Sequence, residues 1–103
     1  MNLEVKRLRK KYPNKIPTIV DKLNYDSRLP KLKKNKFLIQ RELTIGQLSH
    51  VIRTNLTLDP SVAIYMVINN KIHPSSKIIG NIYNEQDNEG FLYIYYLGEN
   101  TFG

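Results

Sequence analysis

Apolar residues recur along this chain in blocks, and the spacing inside each block points to an element. In "EVKRLRKKY", Val5, Leu8 and Tyr12 stand at i, i+3 and i+7 on an otherwise basic segment. That is the period of a helix resting one narrow side on a core. Pro13 and Pro17 close it off. "IPTIVDKL" at 16–23 is rich in β-branched residues and predicts a strand. "NYDSRLP" reads as a loop, and "KFLIQ" at 36–40 as a second short strand behind Lys31, Lys33, Lys34 and Lys36.

"LTIGQLSHVIRTNL" carries the clearest helical pattern, with Ile45, Leu48, Val51, Ile52 and Leu56 in register. Thr44 is placed to cap it and Leu43 to staple its entry. The same spacing turns both Val51 and Ile52 toward the core. Gly46 costs that helix about 1 kcal/mol against Ala, which points to a close packing contact. "VAIYMVI" at 62–68 is apolar at successive positions and predicts a strand buried on both faces. Asn69 and Asn70 turn the chain, and Ile72 follows in a short extended piece. Ser75 or Ser76 is placed to cap a short helix bearing Ile78, Ile79, Ile82 and Tyr83. "FLYIYYL" at 91–97 predicts a last strand.

The order is helix, strand, strand, helix, strand, short strand, helix, strand. After the first helix this is the order of a β-grasp sheet crossed by one helix; a ferredoxin-like sheet needs strand–helix–strand first. The expected class is therefore α+β: a four- to five-stranded mixed sheet with a crossing helix, plus a short N-terminal helix. The 103 residues make one domain.

Charge changes the picture at one end. Residues 1–41 hold 13 Lys/Arg and 3 Asp/Glu, whereas residues 42–103 hold 3 and 6. The basic half suits an acidic partner or a solvated surface. No apolar run approaches the ~20 residues of a bilayer span, and "MNLEVKRLRKKYPNK" lacks the apolar core of a signal peptide. With no Cys there is no disulfide and no thiolate nucleophile. His50 and His73 lack ligand-spaced partners for zinc. Glu85, Asp87 and Glu89 alternate in a turn without calcium-loop spacing. No G-x-S-x-G or phosphate-binding glycine loop occurs. The chain is expected to be no enzyme and to carry no metal or cofactor.

"NKIPTIVDKL", "LPKLKKNKFLIQRELTIGQL", "AIYMVINN" and "EGFLYIYYLGENTFG", in this order, resemble the ubiquitin-like autophagy modifiers of GABARAP type. The most specific pieces are "GFLY" at 90–93 and "ENTFG" at 99–103. The resemblance implies a basic N-terminal helix over 1–14, a ubiquitin-like β-grasp domain over 15–98 and a conjugation tail over 99–103. It implies that Gly103 is activated by a ubiquitin-activating-type enzyme, passed as a thioester to a conjugating enzyme, and joined to phosphatidylethanolamine. Glycine suits that chemistry because a main-chain carboxylate must thread a narrow cleft, and it has no Cβ to obstruct it. Phe102 is the implied recognition handle, and a cysteine protease the implied partner for delipidation. The protein is then a monomer, cytoplasmic, and membrane-attached once lipidated.

The resemblance further implies a docking groove for cargo receptors that carry acidic aromatic–x–x–aliphatic motifs. Glu4, Leu8, Pro17, Ile19, Lys36, Leu38 and Phe91 line the implied aromatic pocket. Phe37, Ile39, Leu43, Leu48, Val51 and Ile52 lie in or beside the aliphatic one, and Lys15, Lys34 and Arg53 join the motif-binding set. For the apolar members, ordinary core burial is the competing reading. Phe37 and Leu38 alternate on a short strand apolar on both faces, so one face needs cover from elsewhere. Gln40, Asn55 and Lys33 stand where the family often has Pro, Arg and Asp, which alters the charge offered to a motif. Set against the family pattern, the first of its two N-terminal helices is expected to be missing or reduced.

Two other readings stay open. One is a ubiquitin-like peptide-binding scaffold that is never conjugated. The lesser one is a small basic nucleic-acid binder, using the N-terminal cations and Tyr93, Tyr95 and Tyr96 as a stacking platform. Against it, those tyrosines fall on both faces of their strand and no RNP-like pattern occurs, so nucleic acid is not an expected partner.

Overall fold

The computed structural model describes residues 2–23, 29–86 and 90–98. Phe102 and Gly103, Asp87 and Glu89, and most of the "NYDSRLP" loop lie outside the described residues. The elements are α1 (Leu3–Lys11), β1 (Lys15–Lys22), β2 (Lys36–Gln40), α2 (Ile45–Leu56), β3 (Ile64–Ile68), β4 (Lys71–Ile72), α3 (Ile79–Glu85) and β5 (Leu92–Gly98). The five strands form one mixed sheet in the order β2-β1-β5-β3-β4. Among the described residues only the β1–β5 pair is parallel, at the centre, and the other pairs are antiparallel. This is the ubiquitin-like β-grasp expected from the element order.

One face of the sheet holds the core. Ile16 and Val20 of β1, Ile39 of β2, Met66 and Ile68 of β3, and Leu92, Ile94 and Tyr96 of β5 all turn to it. Ile45, Leu48, Ile52 and Leu56 of α2 cover them, joined by Ile79, Ile82 and Tyr83 of α3. The same pleat sends Pro17, Ile19, Leu38, Tyr93, Tyr95 and Val67 to the reverse face. There α1 packs on β1, with Val5 fully buried and Leu8 half-buried.

Local chemistry explains the boundaries. Asn2 Oδ1 accepts the N–H groups of Glu4 and Val5 to start α1. Thr44 caps α2 as expected, and a capping box completes it. Thr44 Oγ1 accepts from Gln47 N at 3.2 Å, and Gln47 Oε1 accepts from Thr44 N at 3.0 Å. Asn69 and Asn70 both have positive φ, 55° and 63°. They form the two-residue turn that joins β3 to β4 with the native strand twist.

Three expectations need correction. Neither Ser75 nor Ser76 caps α3. Its N-cap is Ile78, with no side-chain cap, because backbone carbonyls of the β2–α2 connection reach its first donors. Ile79 N donates to Leu43 O and Gly80 N to Arg41 O, each at 2.9 Å. Val51 is 42% exposed rather than core, while its neighbour Ile52 is 1% exposed. The helix is wide enough to bury only the Ile45–Leu48–Ile52–Leu56 line. The strand at 62–68 starts only at Ile64, and its reverse face, Tyr65 and Val67, is half-buried.

Gly46 does meet a close contact: a Cβ there would lie 3.3 Å from both Cβ and O of Ser75.

Tyr96 ties the sheet to the start of the lysine-rich segment. Its ring is fully buried, and its hydroxyl donates to Pro30 O at 2.7 Å. Burial pushes the Tyr96 phenol above its ordinary value. A raised phenol favours the protonated native state, so its stabilisation holds below about pH 10 and falls as pH rises through the raised value. Tyr96→Phe should cost about 1 kcal/mol at neutral pH, read by urea unfolding, and should flatten the alkaline loss of stability.

Candidate functional site

Among the described residues β2 is an edge strand, since only β1 pairs with it. Its outer backbone groups are therefore available to another strand. Beside it lies a groove of about 470 Å³ lined by Glu4 and Leu8 of α1, Lys34, Lys36, Phe37 and Leu38 at β2, and Phe91 before β5. The cross-strand register explains the gathering. Pro17 faces Leu38 and Ile19 faces Lys36, so all four share the reverse face, and α1 packs over that face to form the second wall.

The mouth of the groove is charged. Lys36 Nζ lies 3.0 Å from Glu4 Oε1 and 5.6 Å from the centroid of the Phe91 ring. Both partners of the ion pair are about half exposed, so the pair contributes little to stability, ~0–1 kcal/mol. Its consequence is positional: it bridges α1 to β2 across the opening. Lys34 is exposed beside it. The floor is apolar and the rim is net positive, which suits an aromatic side chain followed or preceded by acidic residues.

All seven lining residues belong to the set implicated by the resemblance. Pro17 is buried and Ile19 half-buried next to the groove. Lys15 faces Gln40 at the other end of the β1–β2 ladder. Phe37 touches the groove and also packs on the core, so it stands between the two sides of β2. Of the residues implicated in the aliphatic pocket, Ile39, Leu48 and Ile52 are sealed in the core. Phe37 and Leu43 are half-buried against it, and Val51 meets solvent. Arg53 is engaged elsewhere: its guanidinium donates to the carbonyls of Val62 and, at 3.0 Å, Asp59. Asp59 in turn accepts from the Ser61 hydroxyl and N–H, which hold its carboxyl below the usual range. Sequence reading missed the Glu4–Lys36 pair. Its members are 32 positions apart, and no local pattern joins them.

The family profile described as "Autophagy protein Atg8 ubiquitin like" matches residues 1–103. This chain belongs to the Atg8 family. Autophagy-related protein 8e of Arabidopsis thaliana is 42% identical over 101 residues, covering 97% of this chain and 82% of the relative. Autophagy-related protein 8B of Oryza sativa subsp. indica is also 42% identical over 101 residues, covering 97% and 84%. The crystal structure of Trypanosoma brucei ATG8 superposes with a TM-score of 0.84 at 33% identity, covering 93% of this chain and 83% of that one. As an Atg8-family protein the chain is a ubiquitin-like modifier of autophagy and not an enzyme. Its partners are those of the Atg8 pathway in general.

Proposed function

We propose that this Atg8-family chain is a GABARAP-type modifier joined through Gly103 to phosphatidylethanolamine, and that the α1–β2 groove recruits cargo receptors. In the conjugation step, the lipid amine attacks the Gly103 thioester on a conjugating enzyme. An amide forms and the enzyme's thiolate leaves. The modifier then moves from the cytoplasm to an autophagosomal or related membrane. The observation that carries the recruiting role is the edge strand beside a charged-rimmed apolar groove. A motif adds to β2 as a further strand, its aromatic side chain enters the groove, and its acidic flank meets Lys34 and Lys36. A scaffold that binds motifs through that groove without conjugation is the second reading.

Intact mass after incubation with Atg8-type activating and conjugating enzymes, ATP and phosphatidylethanolamine liposomes separates the two. A lipid-sized gain in the wild type, lost in Gly103→Ala, is the expected result. No gain, with enzymes active on a known substrate, leaves the scaffold reading. An acidic aromatic–x–x–leucine peptide, titrated by calorimetry, tests the groove. Leu38→Asp should weaken it about ten-fold or more with the fold intact.

A further inference from the structure

The groove has two walls that are far apart in the chain: Glu4 and Leu8 of α1 on one side, Phe91 on the other. Both are tied to one buried ring that does not itself line the groove. Tyr83 of α3 is 5% exposed, and its hydroxyl donates to Gly90 O at 2.9 Å, one residue before Phe91. The guanidinium of Arg9, next to Leu8 in α1, lies 5.7 Å from the Tyr83 ring centroid. That of Arg41, in the connection leaving β2, lies 5.9 Å from the same centroid. Arg41 Nε also donates to Pro13 O at 3.5 Å, just past the end of α1. Its Nη1 donates to Asn84 Oδ1 of α3 at 3.3 Å. Arg9 and Arg41 are both half-buried, and neither has a carboxylate partner among the described residues. The ring holds Arg9, while the ring and two oxygen acceptors hold Arg41.

We infer that Arg41 and Tyr83 are positioning residues that fix the spacing of the groove walls, and so decide which aromatic side chain the groove takes. The inference rests on the recruiting role proposed above. Helix α1 has nine residues, too short to keep its place alone. Val5 and Leu8 seat it on the sheet. Its start is tied across the groove by the half-exposed Glu4–Lys36 pair, which contributes little. Its end is tied by Arg9 on Tyr83 and by Arg41 on Pro13 O. The bond from Tyr83 to Gly90 O sets the opposite wall from the same ring. Walls fixed against each other discriminate between ring sizes, because a misfitting ring must displace them; loose walls adapt to either. Indole and phenyl differ in width, so their affinity ratio reports the wall spacing.

The test uses the full chain and two acidic peptides that differ only in the aromatic residue, tryptophan or phenylalanine, before x–x–leucine. Calorimetry should show the wild type binding one of them clearly better. Arg41→Ala should weaken the better peptide roughly three- to ten-fold, change the poorer one little, and bring the ratio towards one. Tyr83→Phe keeps the ring and loses the bond to Gly90 O, so it should move the ratio the same way. Arg41→Lys keeps a cation at the ring but not both hydrogen bonds, and should restore part of the ratio. Ile68→Val truncates the core in β3, away from both walls. It should lower the thermal midpoint and leave the ratio alone, which separates positioning from general stability. Hydrogen exchange gives a readout without peptide: Arg41→Ala should speed exchange in α1 and leave α2 unchanged. Equal wild-type affinities, an unchanged ratio in Arg41→Ala, or exchange that rises alike in α1 and α2 overturns the inference. A wild type that binds neither peptide overturns the recruiting role instead, and the exchange contrast still decides whether Arg41 holds α1.

Discussion

Gly80→Ala should lower the thermal midpoint by roughly 10 °C or more, a loss of about 2–3 kcal/mol in a domain of this size. A Cβ at Gly80 would lie 2.8 Å from Arg41 O and 3.1 Å from Arg41 Cβ. The nearer atom is a backbone oxygen, which has no rotamer to move into. It is also the acceptor of the Gly80 N–H at 2.9 Å, so relief of the clash lengthens that bond. The neighbouring bonds, Ile79 N to Leu43 O, Ile45 N to Lys77 O and Gly46 N to Ser75 O, knit the starts of α2 and α3 together. A shift at Arg41 therefore strains both helix starts. Ala is worth about 1 kcal/mol over Gly in a helix, too little to offset this. Gly46→Ala is the control. Its contact is 3.3 Å from Ser75, where a few tenths of an ångström suffice, so gain and strain should cancel to within about 1 kcal/mol. Equal stability of Gly80→Ala and wild type in a thermal scan would refute the close-approach account.

Ile52→Ala should cost about 2–5 kcal/mol, whereas Val51→Ala should stay within about 0.5 kcal/mol. Ile52 is 1% exposed inside the α2–sheet core, and truncation leaves a cavity among Leu48, Leu56 and the sheet residues. Val51 points to solvent and loses little packing. Chemical denaturation reads both directly. If the two variants were equally destabilised, the helix would be rotated from the observed setting. The pair also bears on recruitment. If a motif's aliphatic residue docks beside α2, Val51→Ala should weaken the peptide without altering stability, and Ile52→Ala should do both.

Much of the fold is written locally. The strand at 36–40 and the α2 pattern lie where the residues put them, because a period and a cap are properties of neighbouring positions. The Asn69–Asn70 turn needs only two residues tolerant of positive φ. The element order sufficed for the β-grasp, since a parallel β1–β5 centre is what this sequence of strands and helices closes into. Family membership was equally legible, in "GFLY" and "ENTFG".

What the sequence could not decide involves groups far apart in the chain. Val51 and Ile52 have the same apolar character, and only the packed sheet selects which is covered. Ser75 and Ser76 looked like caps, yet carbonyls 36 and 39 positions away, of Leu43 and Arg41, hold the α3 donors. Lys36 reads as an edge-strand lysine until folding sets Glu4 3.0 Å from it. Local periodicity fixes which residues share a face. Which face is covered, and by what, depends on the relative placement of α1, β2 and β5, and that placement turns scattered residues into a groove.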